Sequence, residues 1–281
     1  MCQNGVQEVT SADAERVLPF LRRSSWTTLE SSLVEVEKHL GAWPAWMAAQ
    51  GGELSAFLLL DVLRAPVVQI HTVTCRDKRA VDHDLPELLQ AASLYAEQHA
   101  ALPPLYMGDS TWLRQPLARA GYHTLGDVLF YEKEGTDVPA AGNQAVEVRL
   151  ADTTDIPALV ALDSAAFAPI WRNNAAFFRH ALCTFPLLYT ACLGSVVAGY
   201  VLCDVRYEQG QLARLAVHPG WQRQGIGTRL LAEAMRFFAE AGVSSITLNT
   251  QEDNHRAQRL YRWFGFQRTG DRFFVMQASG S

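Results

Sequence analysis

Seven consecutive residues, Gln222-Arg223-Gln224-Gly225-Ile226-Gly227-Thr228, place two glycines among polar and cationic side chains. They lie between an apolar run at 212–217 and a helical pattern at 228–241. A strand that turns through glycines into a helix is suited to hold an anion. Glycine lets the backbone come close to a ligand, and the first N–H groups of a helix have no internal acceptor. The chemistry this spacing allows is capture of a pyrophosphate-like group by the N–H groups of residues 224–228. Arg223 and Arg229 either add charge there or lie as solvated arginines. The plain alternative is an ordinary strand-to-helix turn. A second cluster follows. Asp253 or Asn254 is placed to cap a helix whose apolar face carries Ala257, Leu260, Tyr261 and Phe264.

The elements that must position these residues alternate between strand and helix. After the strand at 146–150, Asp152 opens a helix bearing Ile156, Leu159, Val160 and Leu162, followed by the apolar loop Phe167-Ala168-Pro169-Ile170-Trp171 and a helix at 174–182. Strands are expected at 187–193, 196–204 and 211–217. The helix after the glycines sets Leu230, Leu231, Ala234, Met235 and Phe238 on one face, with Arg229/Glu233 and Arg236/Glu240 pairs on the other. Gly242 ends it. A strand at 245–250, the helix capped at 253–254 and ended by Gly265, and a strand at 272–277 complete this half. The apolar stretch 187–203 is short of the ~20 residues of a membrane span, and Gly194-Ser195 interrupts it. It reads as two buried strands and a tight turn.

The first half has a similar order: strands at 6–9, 45–49, 55–63, 67–74, 105–107 and 128–131, with helices beginning at Ser11, running from Leu29 to Leu40, at 85–97 with Pro86 in the first turn, and at 112–119. Val9-Thr10-Ser11-Ala12-Asp13 lies 139 positions before Val148-Arg149-Leu150-Ala151-Asp152. Gly121-Tyr122 and Gly126-Asp127 lie 144 positions before Gly265-Phe266 and Gly270-Asp271. These offsets imply two copies of one fold. No glycine occurs between Gly52 and Gly108, and the counterpart of the glycine turn, at 77–84, carries three aspartates that oppose an anion. The expected division is a degenerate domain at 1–134, a linker at 135–144 containing Gly135, Pro139 and Gly142, and a site-bearing domain at 145–281.

A chain of 281 residues suits two domains of about 140 each. Its 49% hydrophobic and 19% charged residues are those of a globular protein, and the net charge of −5 argues against a nucleic-acid partner. The five cysteines are scattered, without a C-x-x-C pair, so neither a disulfide framework nor a metal site is expected. The start lacks a basic-then-apolar leader. A soluble, cytoplasmic protein with no membrane partner follows.

The second half resembles the GNAT superfamily of N-acetyltransferases. Gln222-Arg223-Gln224-Gly225-Ile226-Gly227 fits that family's Q/R-x-x-G-x-G/A signature. Leu215-Ala216-Val217-His218-Pro219 fits its pantetheine-pairing strand, and Asn254 to Phe266 fits its N-x-x-A-x-x-L-Y-x-x-x-G-F pattern. The resemblance covers 146–277 well and the first half in element order. It implies two tandem α/β (α+β) GNAT-like domains, each a mixed, mostly antiparallel sheet flanked by helices, with acetyl-CoA as cosubstrate and an amine-bearing acceptor.

The implied roles follow residue by residue. Backbone groups of Leu215, Ala216 and Val217 hold the pantetheine amides, and Gln222, Arg223, Gln224, Gly225, Ile226, Gly227 and Thr228 hold the pyrophosphate. Asn254 caps its helix, contacts the cofactor, or does both. Tyr261 is either a core residue or the acid that reprotonates the CoA thiolate; a phenol and a thiol titrate at about 10 and 8.5, which makes the transfer reasonable. Some relatives carry a glutamate base on the strand before Asn254, where this chain has Asn249. Asp204, Glu208 and Glu252 are alternatives to a base acting through ordered water, and His218 is read as structural. A non-catalytic acyl-CoA-binding sensor or interaction module is the competing function. The oligomeric expectation is a monomer or homodimer.

Overall fold

The computed structural model describes residues 5–28, 33–206 and 208–280. Leu29, in the expected second helix, lies outside them. The chain forms two compact units, Met1–Gly126 with Phe273–Ser281, and Asp127–Arg272.

The first unit contains β1 (Val6–Glu8), α1 (Ala14–Arg23), β2 (Trp26–Thr27), α2 (Leu33–His39), β3 (Ala45–Gln50), β4 (Glu53–Asp61), β5 (Gln69–Cys75), α3 (Lys78–Gln98), β6 (Leu105–Gly108) and α4 (Thr111–Arg119). Strand β4 is apolar on both faces because helices cover both. Phe57 and Leu59 pack with α1 and α2 through Val17, Leu21 and Val36. Leu58 and Leu60 pack with α3 and α4 through Leu85, Leu88, Leu113 and Leu117. Pairing is antiparallel for β1–β3, β3–β4 and β4–β5, and parallel for β5–β6.

The strands expected at 128–131 and 272–277 begin earlier, at Tyr122 and Gln267, and one helix also differs. The helix read at 85–97 begins at Lys78, so Pro86 is interior rather than in the first turn. Asp77 accepts the Ala80 N–H at 2.9 Å and caps it. The cap and the buried stripe Val81, Leu85, Leu88, Leu89 and Ala92 outweigh the hydrogen bond that Pro86 removes. The stretch 77–84 is therefore helix from Lys78 onward, and β5 passes into α3 through only Arg76 and Asp77.

The second unit holds most of β7 (Tyr122–Glu134), then β8 (Glu147–Leu150), α5 (Ile156–Ala166), α6 (Ala175–Thr184), β9 (Leu187–Leu193), β10 (Val196–Arg206), β11 (Gln209–Val217), α7 (Ile226–Glu240), β12 (Ser245–Gln251), α8 (His255–Trp263) and the start of β13 (Gln267–Ala278). Pairing is antiparallel for β8–β9, β9–β10 and β10–β11, parallel for β11–β12, and antiparallel for β12 with the Val128–Glu134 part of β7. The buried stripe Ile226, Leu230, Leu231, Ala234, Met235 and Phe238 seats α7 on one face of this sheet. At Gly199 a Cβ would come within 2.9 Å of both Leu230 Cδ1 and the Ala216 carbonyl, so its absence lets α7 lie close on β10. Helices α5 and α6 cover the other face.

Strand order and pairing sense are the same in the two units, as the repeat offsets imply: a tandem α/β fold. The sixth strand is exchanged in sequence. Residues 128–134 of β7 complete the second unit's sheet, and Phe274–Gln277 of β13 pair with β6 in the first. The compact units thus differ from a division into 1–134, 135–144 and 145–281. Backbone hydrogen bonding does not depend on side-chain identity, and β7 and β13 are alike in pattern, so nothing local in the sequence says which sheet each joins.

Candidate functional site

Strand β11 determines the site. Its register with β10 slips between Leu202↔Arg214 and Cys203↔Leu212, which leaves Ala213 as an extra residue. Such a bulge bends a strand and interrupts pairing. Up to the bulge, Gln209–Leu212 pair with Ser245–Leu248 of β12. Beyond it β11 and β12 part, so Leu215, Ala216 and Val217 keep β10 on one edge and lose β12 on the other. Between the parted strands lies a cavity of about 320 Å³. Its walls are β11, the loop after it, Asn249–Gln251 of β12 and the inner face of α8.

The glycine loop forms one end. Its backbone is left-handed at Arg223 (φ +63°) and at Gly225 (φ +74°). For Arg223 this conformation is strained, and such strain gathers at ligand sites. Helix α7 begins at Ile226, and the first bond into it runs from the Arg229 N–H to the Gly225 carbonyl at 3.0 Å. The amides of Ile226, Gly227 and Thr228 precede that bond and have no place in the helical ladder. The two glycines have different causes. Gly225 is required by its own φ. At Gly227 a Cβ would meet Leu260, Val217 and Leu215 side chains at 3.6–3.8 Å, which is ordinary contact. The protein's packing does not require a glycine at 227, and the room it leaves lies among residues that line the cavity.

The other nominated residues surround the same space. Leu215, Ala216, Val217, Gln222, Arg223, Gly225, Ile226, Gly227, Thr228, Asn254 and Tyr261 all line the cavity. Gln224 does not; its carbonyl accepts Asn143 Nδ2 at 2.8 Å behind the loop. Gln222 ties the loop down, donating to the Val217 carbonyl at 3.0 Å and accepting from Arg256. Asn254 both caps α8, accepting the Ala257 N–H at 3.2 Å, and faces the cavity. Arg229 is turned away, toward Glu233 at 2.8 Å and Gln144 at 2.5 Å. Glu233 also takes Arg236, in place of the expected Arg236/Glu240 pair.

Tyr261 is buried between Tyr131 and Phe266, lines the cavity, and has no hydrogen-bond partner for its hydroxyl among the described residues. Burial pushes its pKa up to about 12, and the positive charge of Arg214 works in the opposite direction. The phenol is therefore a proton carrier at neutral pH. The candidate bases lie elsewhere: Asp204 accepts from Arg206 at 2.9 Å, and neither it nor Glu208 nor Glu252 lines the cavity. No carboxylate or imidazole lines it among the described residues. His218 accepts the Gly220 N–H at 3.2 Å in a tight turn, a structural role.

Sequence reading missed Arg214, just past the bulge. Its Nη2 lies 2.8 Å from Asp163 Oδ2 and 2.5 Å from the Trp171 carbonyl, and its Nε donates to the Tyr200 hydroxyl at 3.1 Å. The Tyr200 hydroxyl donates to Asp163, which is fully buried and also accepts the Asn173 N–H at 2.7 Å. Arg214 lies 3.7 Å over the Phe167 ring. Burial opposes its charge, but Tyr200 and Asp163 more than offset that, so its pKa is raised. This network fastens the 167–173 loop to the bulged strand at the end of the cavity opposite the glycines. The available signal was a lone arginine inside the apolar stretch Leu212-Ala213-Arg214-Leu215-Ala216-Val217. Arg256, on the first turn of α8, was missed as well and lines the cavity.

The model of the Acetyltransferase (GNAT) family matches residues 156–266, the span that builds this cavity. That span of the chain is similar to the GNAT family. N-alpha-acetyltransferase 30 of Xenopus laevis is 31% identical over 87 residues, 31% of this chain and 32% of that protein. The Homo sapiens protein of the same name is 31% identical over an equal length, 24% of its own chain. The present chain thus spans about a third or less of those relatives. The [Ribosomal protein bS18]-alanine N-acetyltransferase of Escherichia coli (strain K12) is 28% identical over 115 residues, 41% of this chain and 76% of that one. Among solved structures, a tandem GNAT protein from the clavulanic acid biosynthesis pathway aligns with a TM-score of 0.66 at 16% identity, covering 98% of this chain and 99% of that one. A GCN5-related N-acetyltransferase from Sphaerobacter thermophilus aligns at 0.63 with 18% identity, covering 98% and 96%. At such identities the structures establish the fold: two GNAT units in tandem.

Proposed function

We propose that this chain is an N-acetyltransferase that moves the acetyl group of acetyl-CoA to a primary amine of a small molecule or peptide by direct attack. The carrying observation is a single cavity that has unpaired loop amides at one end and Tyr261 on its wall. The free edge of Leu215–Val217 receives the pantetheine amides by strand addition. The loop from Gln222 to Thr228 receives the pyrophosphate, with Arg223, Arg256 and Asn254 beside it. As the amine nitrogen bonds to the acetyl carbon, the C–S bond breaks and the thiolate takes the Tyr261 proton. The attacking nitrogen releases its proton to water, since the cavity lining offers no carboxylate or imidazole. The phenol is restored from solvent.

The charged side chains of the lining are Arg214, Arg223 and Arg256. A polycationic acceptor, such as an aminated antibiotic, meets no carboxylate there, which favours a neutral or anionic amine against the wall of Phe167 and Arg214. The names of the curated relatives, all N-acetyltransferases, support nitrogen as the acceptor atom. We read the first unit as a degenerate copy, because its β5–α3 junction has no glycine turn. No described helix is long and apolar enough to cross a membrane; a cytoplasmic location is part of the proposal.

The lack of a carboxylate is also what a non-catalytic acyl-CoA sensor would show. Free-thiol release from acetyl-CoA by the full chain, with a panel of amines, separates the readings. Multiple turnovers with at least one amine are expected. Tight acetyl-CoA binding with no transfer to any acceptor would replace the enzyme with the sensor.

A further inference from the structure

The segment 135–144 has the composition of a spacer, yet its end is packed on the back of the glycine loop. Asn143 donates twice to that loop: its side-chain Nδ2 to the Gln224 carbonyl at 2.8 Å, and its backbone N–H to the Gly225 carbonyl at 3.2 Å. Its own Oδ1 accepts the Ala145 N–H at 3.0 Å, which fixes the side chain. Gln144 Oε1 takes Arg229 at 2.5 Å. The approach is close. A Cβ on Gly142 would lie 2.2 Å from the Arg229 nitrogen and 2.8 Å from the Thr228 carbonyl carbon. Gly142 also has φ +70°, so only glycine fits this position without strain.

The geometry points to Asn143 as a positioning residue for the anion-binding amides, an inference that rests on the acetyl-CoA reading above. In a trans peptide the C=O and N–H point in opposite directions within one plane. The Gln224 carbonyl shares its plane with the Gly225 N–H, and the Gly225 carbonyl shares its plane with the Ile226 N–H. Holding both carbonyls from behind turns both N–H groups toward the side away from Asn143. Gly225 and Ile226 line the cavity, whereas Gln224, whose carbonyl is held, does not. The Gly225 carbonyl has a second donor in the Arg229 N–H. The Gln224 carbonyl has only the Asn143 side chain among the described residues. Its peptide joins Gln224 to the left-handed Gly225, and a glycine on that side, free to take either sign of φ, leaves the flipped plane accessible. Asn143 thus selects the orientation that presents the Gly225 N–H to a phosphate oxygen.

The test compares CoA with S-acetylpantetheine, which lacks the pyrophosphate. Both are titrated by ligand-observed NMR, to millimolar concentration, against full-length wild type, Asn143→Ala and Gly142→Ala. Loss of one oriented donor to a charged oxygen weakens CoA by about tenfold. S-acetylpantetheine is expected to bind all three proteins alike, so the ratio of the two affinities falls with the substitutions. Equal weakening of both ligands, or no weakening of CoA, would overturn the positioning role. If wild type binds CoA no tighter than S-acetylpantetheine, the pyrophosphate reading itself fails, a result distinct from the other two.

Discussion

Gly227→Ala separates a glycine kept for a ligand from one kept for the fold. The added methyl has room, since its nearest neighbours in the protein would be at 3.6–3.8 Å. It also replaces a glycine in the first turn of α7, which favours the helix by about 0.5–1 kcal/mol. For a chain of this size that corresponds to a rise in Tm of about 1–4 °C. Acetyl-CoA affinity moves the other way. The methyl stands where phosphate oxygens approach the loop amides, and losing one charge-assisted hydrogen bond of roughly 1.5–3 kcal/mol raises Kd by about 10- to 100-fold. Gly225→Ala is the control: at φ +74°, with the Asn143 nitrogen 3.3 Å from the new Cβ, it costs about 1–2 kcal/mol of stability. Differential scanning calorimetry and isothermal titration calorimetry on the same preparations read both quantities. A Gly227→Ala protein that binds acetyl-CoA like wild type would refute the assignment of that glycine to a ligand, and a fall in its Tm would refute the packing argument.

Tyr261→Phe is expected to lower kcat at least tenfold and leave KM for acetyl-CoA nearly unchanged, as measured by initial rates of thiol release; an unchanged kcat removes the acid role. The same pair of proteins carries a pH signature. The folded-state pKa of Tyr261 is raised to about 12, above the unfolded value near 10, so the stabilisation from its neutral burial is complete below about pH 10 and is lost as pH rises toward 12. Wild type should therefore lose stability relative to Tyr261→Phe by about 2–3 kcal/mol across that window in urea titrations; parallel profiles would contradict the shift. Asp163→Asn leaves Arg214 buried without its counter-charge and should cost about 3–5 kcal/mol by chemical denaturation, whereas a cost under about 1 kcal/mol would mean the pair is not buried as described.

What the sequence disclosed was local. The glycine turn, the cap at Asn254 and the apolar face bearing Tyr261 are each written in a few consecutive residues, because backbone freedom, capping and helical periodicity are short-range properties. The tandem repeat was legible from its offsets for the same reason. The bulge at Ala213 was not, since it arises from register against β10 and no residue at 213 demands it. The Asp163–Tyr200–Arg214 cluster joins three elements far apart in sequence, and only the oddity of an arginine in an apolar strand hinted at it. The residues 135–144 were misleading for a different reason. Glycine and proline mark a loop, but whether that loop is free or clamped depends on what lies beside it, here the carbonyls of Gln224 and Gly225.

One acyl-CoA site is expected in the chain, between β11 and β12, and none in the first unit, where β5 runs into α3 through only Arg76 and Asp77. Isothermal titration of the full chain with acetyl-CoA tests this most directly. One molecule bound per chain, with affinity lowered at least tenfold by Gly227→Ala, is the expected result. No binding, two equivalent sites, or one site indifferent to Gly227 would contradict it.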